Sequence, residues 1–555
     1  MIRSLFLLFL CSSSLFAAAK PNVLMICVDD LKPLLGCYGN AVVKSPNIDR
    51  LAARGVQFEK AYCNQAVCAP SRNALLTGLR PQTLGIYDLA TNFRKAAPEA
   101  VTLPQHFKNN GYRAEGLGKI FHVGHGNVND AASWSVPHFT PKTISYALKE
   151  NDLPQSTREQ ALFENKKEAW KLPRGAATEA ADVADNVYGD GMIADEAVKR
   201  LAAAKQKPEE PFFLAVGFLK PHLPFVAPKK YWDLYDPAVF TLPKLQTPPA
   251  GAPDFAPTTW GELRQYMDIP ETGPLTEGQA LHLIHGYHAA TSYMDAQLGK
   301  VLDALDANGL AESTIIVFWG DHGWHLGDHG MWCKHTNYEQ AARIPVIVAG
   351  PGIKPGVTQA LIESCDIYPT LAELAQIPAP PQGDGRSFTE VLLNPAATVR
   401  DHAIHVYPRG GGLMGRAIRT QRHRLVEWKK PGAAPETAVL ELYDYEADPA
   451  ETKNLAVEQP AVVKVLRQFL SQHPEAKPQI SSSKAEGKAA APQKPAQDRG
   501  RMFDQRDKDK DGQLTKEEFL LNQPDPDEAP KRFPKFDTDG SGALSREEFI
   551  KGGKK

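Results

Sequence analysis

Cysteine is scarce: 7 occur among 555 residues, and one of them, Cys11, sits in the first apolar run. The other six are Cys27, Cys37, Cys63, Cys68, Cys333 and Cys365, too scattered for a disulfide framework. One or two bridges stay open to a chain outside the cytosol, with no pairing readable. A surplus of either charge is also missing: 63 basic against 65 acidic side chains leave a formal net charge of −2. That balance removes the usual reason to expect nucleic acid or an anionic membrane as partner. Beyond the amino terminus no apolar stretch reaches the roughly 20 residues that a bilayer demands, so no transmembrane segment is expected. With 42% hydrophobic residues, what remains is a globular composition on a chain long enough for several domains.

The first 19 residues read as a signal peptide. Arg3 supplies the positive start, Leu5 to Leu10 the apolar run, and Ala17-Ala18-Ala19 a small-residue cleavage site. The expected location is therefore secreted or periplasmic. Cys11 follows Leu-Phe-Leu, not a small residue, which argues against lipid attachment.

From residue 20 to 396, apolar strands alternate with helical stretches. Asn22–Val28, Phe212–Phe218, Thr314–Trp319 and Pro345–Ala349 are continuous apolar runs, as strands buried on both faces should be. Helices are expected after Ser45-Pro46, between Thr102 and Gly111, and over about 279–308. The pattern is that of a doubly wound α/β sheet. Residues 397–470 change character, with strands expected at His402–Tyr407 and Arg416–Trp428, and read as a small α+β subdomain. Residues 471–500, rich in Ala, Lys, Pro, Ser and Gln, read as a flexible linker. Residues 501–553 form a separate charged module.

Polar residues follow the apolar runs. Asp29-Asp30 come after the first, His222 after the second, Asp321-His322 after the third, and Lys119 and His122 after Tyr112–Leu117. Side chains at the carboxyl ends of parallel strands converge on one crevice, so these distant residues are expected to share a site.

The most specific segment is Cys68-Ala69-Pro70-Ser71-Arg72-Asn73-Ala74-Leu75-Leu76-Thr77-Gly78. It satisfies all seven specified positions of C-x-P-S-R-x-x-x-L-T-G and thereby resembles the type I sulfatases. Pro70-Ser71 reads as a helix start, which would place free N–H groups near residue 68, suited to an anion. The resemblance implies the alkaline-phosphatase-superfamily fold, with a mixed sheet. It also implies that a formylglycine-generating enzyme oxidises Cys68 to an aldehyde during export. One hydroxyl of the hydrated aldehyde would attack sulfur, and the other would lose its proton to expel sulfate. Asp29, Asp30, Asp321, His322 and the oxidised Cys68 are implied metal ligands. Hard carboxylate oxygens suit Ca²⁺, with Mg²⁺ the alternative, and the softer His322 stands where many of these enzymes carry Asn. Arg72 is implied to hold the nucleophile, Lys119 and Lys334 to bind sulfate oxygens, and His122 to take the second hydroxyl's proton. His222 is implied to touch the substrate and protonate the leaving alcohol.

Gly118–His122, Lys220–Phe225, Gly320–His329, Trp332–Glu339 and Glu441–Asp444 resemble the iduronate-2-sulfatase branch, over roughly residues 20–460. A sulfated sugar or polysaccharide is the implied substrate, and Tyr38 and His125 are candidate pocket residues. Two other readings stay open: a phosphodiester or phosphonate monoester hydrolase of the same superfamily, and a secreted carbohydrate-binding protein without catalysis.

The tail departs from that branch. Asp507, Asp509, Asp511, Gln513 and Glu518, then Asp537, Asp539, Ser541, Ala543 and Glu548, fit two EF-hand calcium loops, each with glycine at its sixth position. The starts are 30 residues apart, and Pro524, Pro526, Pro530 and Pro534 interrupt the connection. A compact calcium module for stability or anchoring is expected, its partner unread.

Overall fold

The computed structural model describes residues 20–141, 145–148, 151, 158–172, 174–480, 499–520 and 529–551. The expected signal peptide, Pro524 and Pro526 lie outside these. The chain divides into two compact units after residue 482. No helix among the described residues is long and apolar enough to cross a membrane.

A seven-stranded sheet organises the first unit. Its strands are β1 (Asn22–Val28), β2 (Gly55–Tyr62), β3 (Arg113–Gly118), β4 (Phe212–Phe218), β5 (Thr314–Gly320), β6 (Arg343–Ala349) and β7 (Gly356–Glu363). They lie in the order β7-β2-β6-β5-β1-β4-β3. β1 pairs in parallel with β4 and β5, β3 with β4, and β2 with β7. Only β6 is reversed, antiparallel to both β5 and β2. The sheet is thus mixed, and its central strands are the continuous apolar runs that burial on both faces requires.

Alternate residues divide between two cores. Val23, Met25 and Cys27 face one side with Leu75 and Leu76 of α1 (Cys68–Thr77) and Leu103 and Phe107 of α2 (Leu103–Asn109). Leu24, Ile26 and Val28 face the other, against α3 (Gly189–Lys205) and α4 (Glu277–Ala307). Thr102 and Thr276 open α2 and α4 with reciprocal capping boxes, satisfying amides that would otherwise lack partners. The period of two gives each strand residue one core, and each fully buried Val, Leu, Ile or Phe contributes about 1.5–3 kcal/mol.

A second, four-stranded antiparallel sheet packs within the same unit: β8 (His402–Arg409), β9 (Leu413–Thr420), β10 (His423–Lys429) and β11 (Val439–Asp444). The segment Arg416–Trp428, expected as strand, is two strands turning at Gln421-Arg422. Helix α5 (Pro460–Ser471) covers this sheet with Val463, Leu466 and Leu470. Residues 472–480, expected as the start of a linker, return to the main domain instead. Lys477 N donates to Gln82 O at 3.1 Å and Ile480 N to Gly85 O at 2.8 Å, while Tyr87 donates its hydroxyl to Lys477 O at 2.7 Å. The six cysteines after the amino-terminal run are all free thiols.

In the second unit, β12 (Gln513–Thr515) and β13 (Ala543–Ser545) pair antiparallel, Leu514 opposite Leu544. Phe503, Phe519, Phe533 and Phe549 close over that pair as a small core. Pro530 and Pro534 do not break the helix Ala529–Phe536 that holds them.

Candidate active site

Register brings the predicted residues to one edge. Val28, Phe218 and Gly320 are level across β1, β4 and β5, so Asp29-Asp30, the His222 loop and Asp321-His322 leave the sheet side by side. Lys119 follows β3, whose last residue, Gly118, pairs with Gly217. A Cβ on Gly217 would lie 2.3 Å from Lys119 O, so glycine is what permits this close crossing. Cys68 begins α1, buried along its whole length, so first-turn amides and the positive dipole end face the same crevice. Asp30 sits there in a left-handed backbone conformation, φ +58. That costs about 1–3 kcal/mol and persists only where the surroundings impose it.

Four cationic groups are set among four carboxylates. Arg72, with no exposed side-chain surface, donates Nε to Asp321 Oδ2 at 3.1 Å and Nη2 to Asp29 Oδ1 at 3.0 Å, and caps the carbonyls of Lys119 and Ile120. Lys119 Nζ contacts Asp29 Oδ2 and lies 4.0 Å from Cys68 Sγ. Burial opposes the charge on Asp29, but Lys119, His222 and Arg72 outweigh it and hold its carboxyl well below the usual range. Asp321 goes the other way: burial raises its pKa to about 6 against the pull of His322 and Arg72, with Asp29 adding repulsion. Its Oδ1 accepts from the Asp30 and His322 amides, fixing both turns.

Oxygen and nitrogen donors converge beside Cys68. One ligand atom each from Asp29, Asp30, Cys68 and His322 fall within 4.8 Å of one another. His322 donates Nδ1–H to Gly323 O at 3.0 Å, which turns Nε2 inward. That atom is 3.4 Å from Cys68 Sγ, 3.3 Å from Asp30 Oδ1 and 3.5 Å from Asp321 Oδ1. The set fits a divalent cation, with the ring held by the carbonyl contact typical of metal-binding histidine. Burial, then Asp29, pushes the Cys68 thiol up to about 11, far from thiolate reactivity at neutral pH.

The remaining predicted residues line the outer side. Lys334 Nζ donates to Asp30 at 2.9 and 3.1 Å. Cys333 and His335, on either side of it, both have left-handed φ, +68 and +50. Arg409 of β8 binds His335 O at 2.8 Å, and His405 binds Asn337 at 2.6 Å, so the second sheet braces the lysine's loop. His222 donates Nδ1 to Leu223 O at 2.6 Å and aims Nε2 at Asp30 and Asp29, 3.8 and 4.0 Å away. Burial disfavours its charge, but Asp30 and Asp29 prevail and raise its pKa to about 10. His122 pairs through Nε2 with His125 Nδ1 at 3.2 Å, and burial, then Lys119, holds its pKa well below the ordinary value. Tyr38 is not in the pocket: its hydroxyl donates toward Phe58 O and Val346 O and accepts from Val346 N, bolting β2 to β6.

Two residues here carried no sequence signal. Asp190 accepts the Leu219 and Lys220 amides at 2.7 and 2.9 Å and shapes the His222 loop. Glu262 reaches in from an irregular segment to within 3.2 Å of His222 Nε2 and 3.1 Å of Lys334 Nζ. In the second unit, Asp507, Asp509 and Asp511 draw together, as do Asp537, Asp539 and Glu548. Glu518 and Glu548 reach back to the amides of Lys508 and Thr538, at 2.9 Å each, and the loops' seventh residues, Gln513 and Ala543, begin the paired strands.

The chain is similar to known proteins. The sulfatase family profile matches residues 21–377, that of the N-sulphoglucosamine sulphohydrolase C-terminal region matches 327–477, and the EF hand profile matches 501–520 and 531–552. The iduronate 2-sulfatase of Mus musculus is 36% identical over 416 residues, covering 69% of this chain and 73% of that protein. A structure solved with its substrate D-glucosamine-2-N,6-O-disulfate superposes with a TM-score of 0.63 at 21% identity, over 82% of this chain and 97% of the other. The phosphonate monoester hydrolase of Silicibacter pomeroyi gives 0.63 at 22% identity, over 82% and 95%. At such identities these two structures speak to the fold alone.

Proposed function

The chain belongs to the sulfatase family, and from that premise we propose that it is an exported enzyme that removes sulfate from a sulfated carbohydrate through a formylglycine made from Cys68. The observation that carries this reading is the gathering of Asp29, Asp30, Cys68 and His322 donors within 4.8 Å, with Lys119 and Lys334 on the same carboxylates. The similarity to an iduronate 2-sulfatase supports a sugar sulfate as the substrate class.

Asp29, Asp30, Asp321 and His322, with the oxidised residue 68, would hold Ca²⁺ or Mg²⁺. The ion, when bound, supplies positive charge that offsets the sulfate and favours ionisation of the nucleophilic hydroxyl. Oxidation turns a buried thiol into a carbonyl whose hydrate has two hydroxyls, one to attack sulfur and one to release it. Arg72 fixes Asp29 and Asp321 and lies one helical turn beyond residue 68, so it orients the nucleophile. Lys119 and Lys334 exchange carboxylate partners for sulfate oxygens. His222, protonated with Nε2 facing the crevice, gives its proton to the departing alcohol. His122, kept neutral, accepts the proton of the second hydroxyl and stands against His125 on the more exposed side.

A panel of sulfated mono- and disaccharides read by inorganic sulfate release, beside aryl sulfate, aryl phosphate, an aryl phosphodiester and an aryl phosphonate monoester read by release of the phenol, tests this. Preference for sugar sulfates supports it. Faster phosphodiester or phosphonate turnover would favour the other superfamily chemistry, and sugar binding without any turnover would leave a carbohydrate-binding protein. The EF-hand pair is read as a calcium module of stabilising or anchoring role.

A further inference from the structure

Glu262 is unexplained by the chemistry above. It is a carboxylate with 16% side-chain exposure, placed between two groups assigned to the sulfate ester. Its Oε1 lies 3.2 Å from His222 Nε2 and 3.4 Å from Lys334 Nζ, and its Oε2 3.1 Å from Lys334 Nζ. The segment that carries it is anchored on both sides. Leu263 and Tyr266 are buried in an apolar cluster, Arg174 donates to Glu262 O at 3.3 Å, and Met267 N to Gly175 O at 3.2 Å. The carboxylate therefore belongs to the wall of the site.

Substrate entry disturbs its bonding. His222 Nε2 has one proton, and protonating the leaving oxygen takes it from Glu262. Lys334 has three protons, shared between Asp30 and Glu262, and turning toward a sulfate oxygen draws on them too. Glu262 then faces the departing alcohol with its partners withdrawn, and a largely buried carboxylate left short of donors is costly. The substrate is the natural source of a replacement. His222 can bridge to the ester oxygen only if that oxygen comes within one substituent's reach of Glu262, and in a pyranose the neighbouring carbon carries such a substituent.

We infer that Glu262 recognises a hydroxyl or amine on a carbon adjacent to the sulfated one, and disfavours a carboxylate or second sulfate there. This selects sugar esters over isolated alkyl or aryl esters. It rests on the sulfated-carbohydrate reading, and the test separates the two.

The probes are the best-cleaved methyl pyranoside monosulfate and its derivatives deoxygenated or O-methylated at each neighbouring carbon, with 4-nitrophenyl sulfate as a substrate lacking that hydroxyl. Wild type should lose about 10–100-fold in kcat/KM when one particular neighbouring hydroxyl is removed, the worth of one charged hydrogen bond. In Glu262→Ala that ratio should collapse toward about one, whatever the absolute rate, and Glu262→Gln, which keeps an acceptor without the charge, should fall between. Thermal unfolding of both variants checks that they are folded. A ratio unchanged by either variant, or a wild type indifferent to deoxygenation on both sides, overturns the inference while leaving the sulfatase reading intact. Release from 4-nitrophenyl sulfate with none from any sugar ester overturns the carbohydrate reading and the inference with it.

Discussion

Arg72→Met should destabilise the first unit by an amount that depends on pH. In the wild type, Arg72 binds Asp29 and Asp321 with no side-chain exposure on any of the three. Methionine fills similar space but removes the cation. Asp29 keeps Lys119, and His222 lies 4.0 Å away, whereas Asp321 loses the guanidinium that partly offsets its burial. Its folded pKa, already raised to about 6, must rise further. An acid whose folded pKa exceeds the unfolded value costs stability as pH climbs between the two. The variant follows the same cost to a higher pH. Below pH 6 Asp321 is protonated in both proteins and adds little to their difference. Above it only the wild type has ionised, and the gap widens by about 1.4 kcal/mol per pH unit until the variant's own pKa is passed. Between pH 6 and 8 the gap grows to at most about 3 kcal/mol, within the several kcal/mol expected when one partner of a buried pair is removed. Urea unfolding of both proteins from pH 5 to 8.5, in chelator so that no bound ion replaces the lost charge, measures it. A difference that is flat across this range, or that shrinks as pH rises, would refute the electrostatic reasoning.

Three further outcomes follow from the geometry. His222→Ala should reduce turnover of sugar sulfates by about 10²–10⁴-fold but that of 4-nitrophenyl sulfate far less, because a good leaving group needs little protonation; equal losses in steady-state kinetics would count against the acid role. Tyr38→Phe should lower stability by about 1–3 kcal/mol with kcat/KM unchanged, since its hydroxyl is used to join β2 to β6; a rate loss without destabilisation would return it to the pocket. Glu518→Gln with Glu548→Gln should remove two calcium equivalents from calorimetric titration of the full chain and leave sulfate release intact; an unchanged stoichiometry would remove the EF-hand assignment.

Much of the fold was legible because the central strands announce themselves. NVLMICV, FFLAVGF and TIIVFW are buried on both faces, and the polar residues just after them could only gather at one edge. β2 and β7 were not read as strands because GVQFEKAY and GVTQALIE place Gln, Glu, Lys or Thr among their apolar residues, so neither forms the continuous apolar run that marks the central strands. The reversal of β6 has no sequence mark at all, since an apolar run does not state its direction. In the site, Asp29, Asp321 and Lys119 follow directly from strand ends. Glu262 and Asp190 do not: one lies in an irregular loop, the other in the first turn of α3, and only tertiary packing gives either of them its partners. The linker was read from composition, which is blind to the backbone bonds that hold residues 477–480 against Gln82 and Gly85.

The proposed chemistry depends on residue 68 being a carbonyl, not a thiol. Peptide mass spectrometry of catalytically active protein purified from its natural host reads this directly. The account predicts that the peptide containing Ala69-Pro70-Ser71-Arg72 carries an aldehyde or its hydrate at position 68, in proportion to specific activity. Fully active protein with an unaltered cysteine at that position would contradict it.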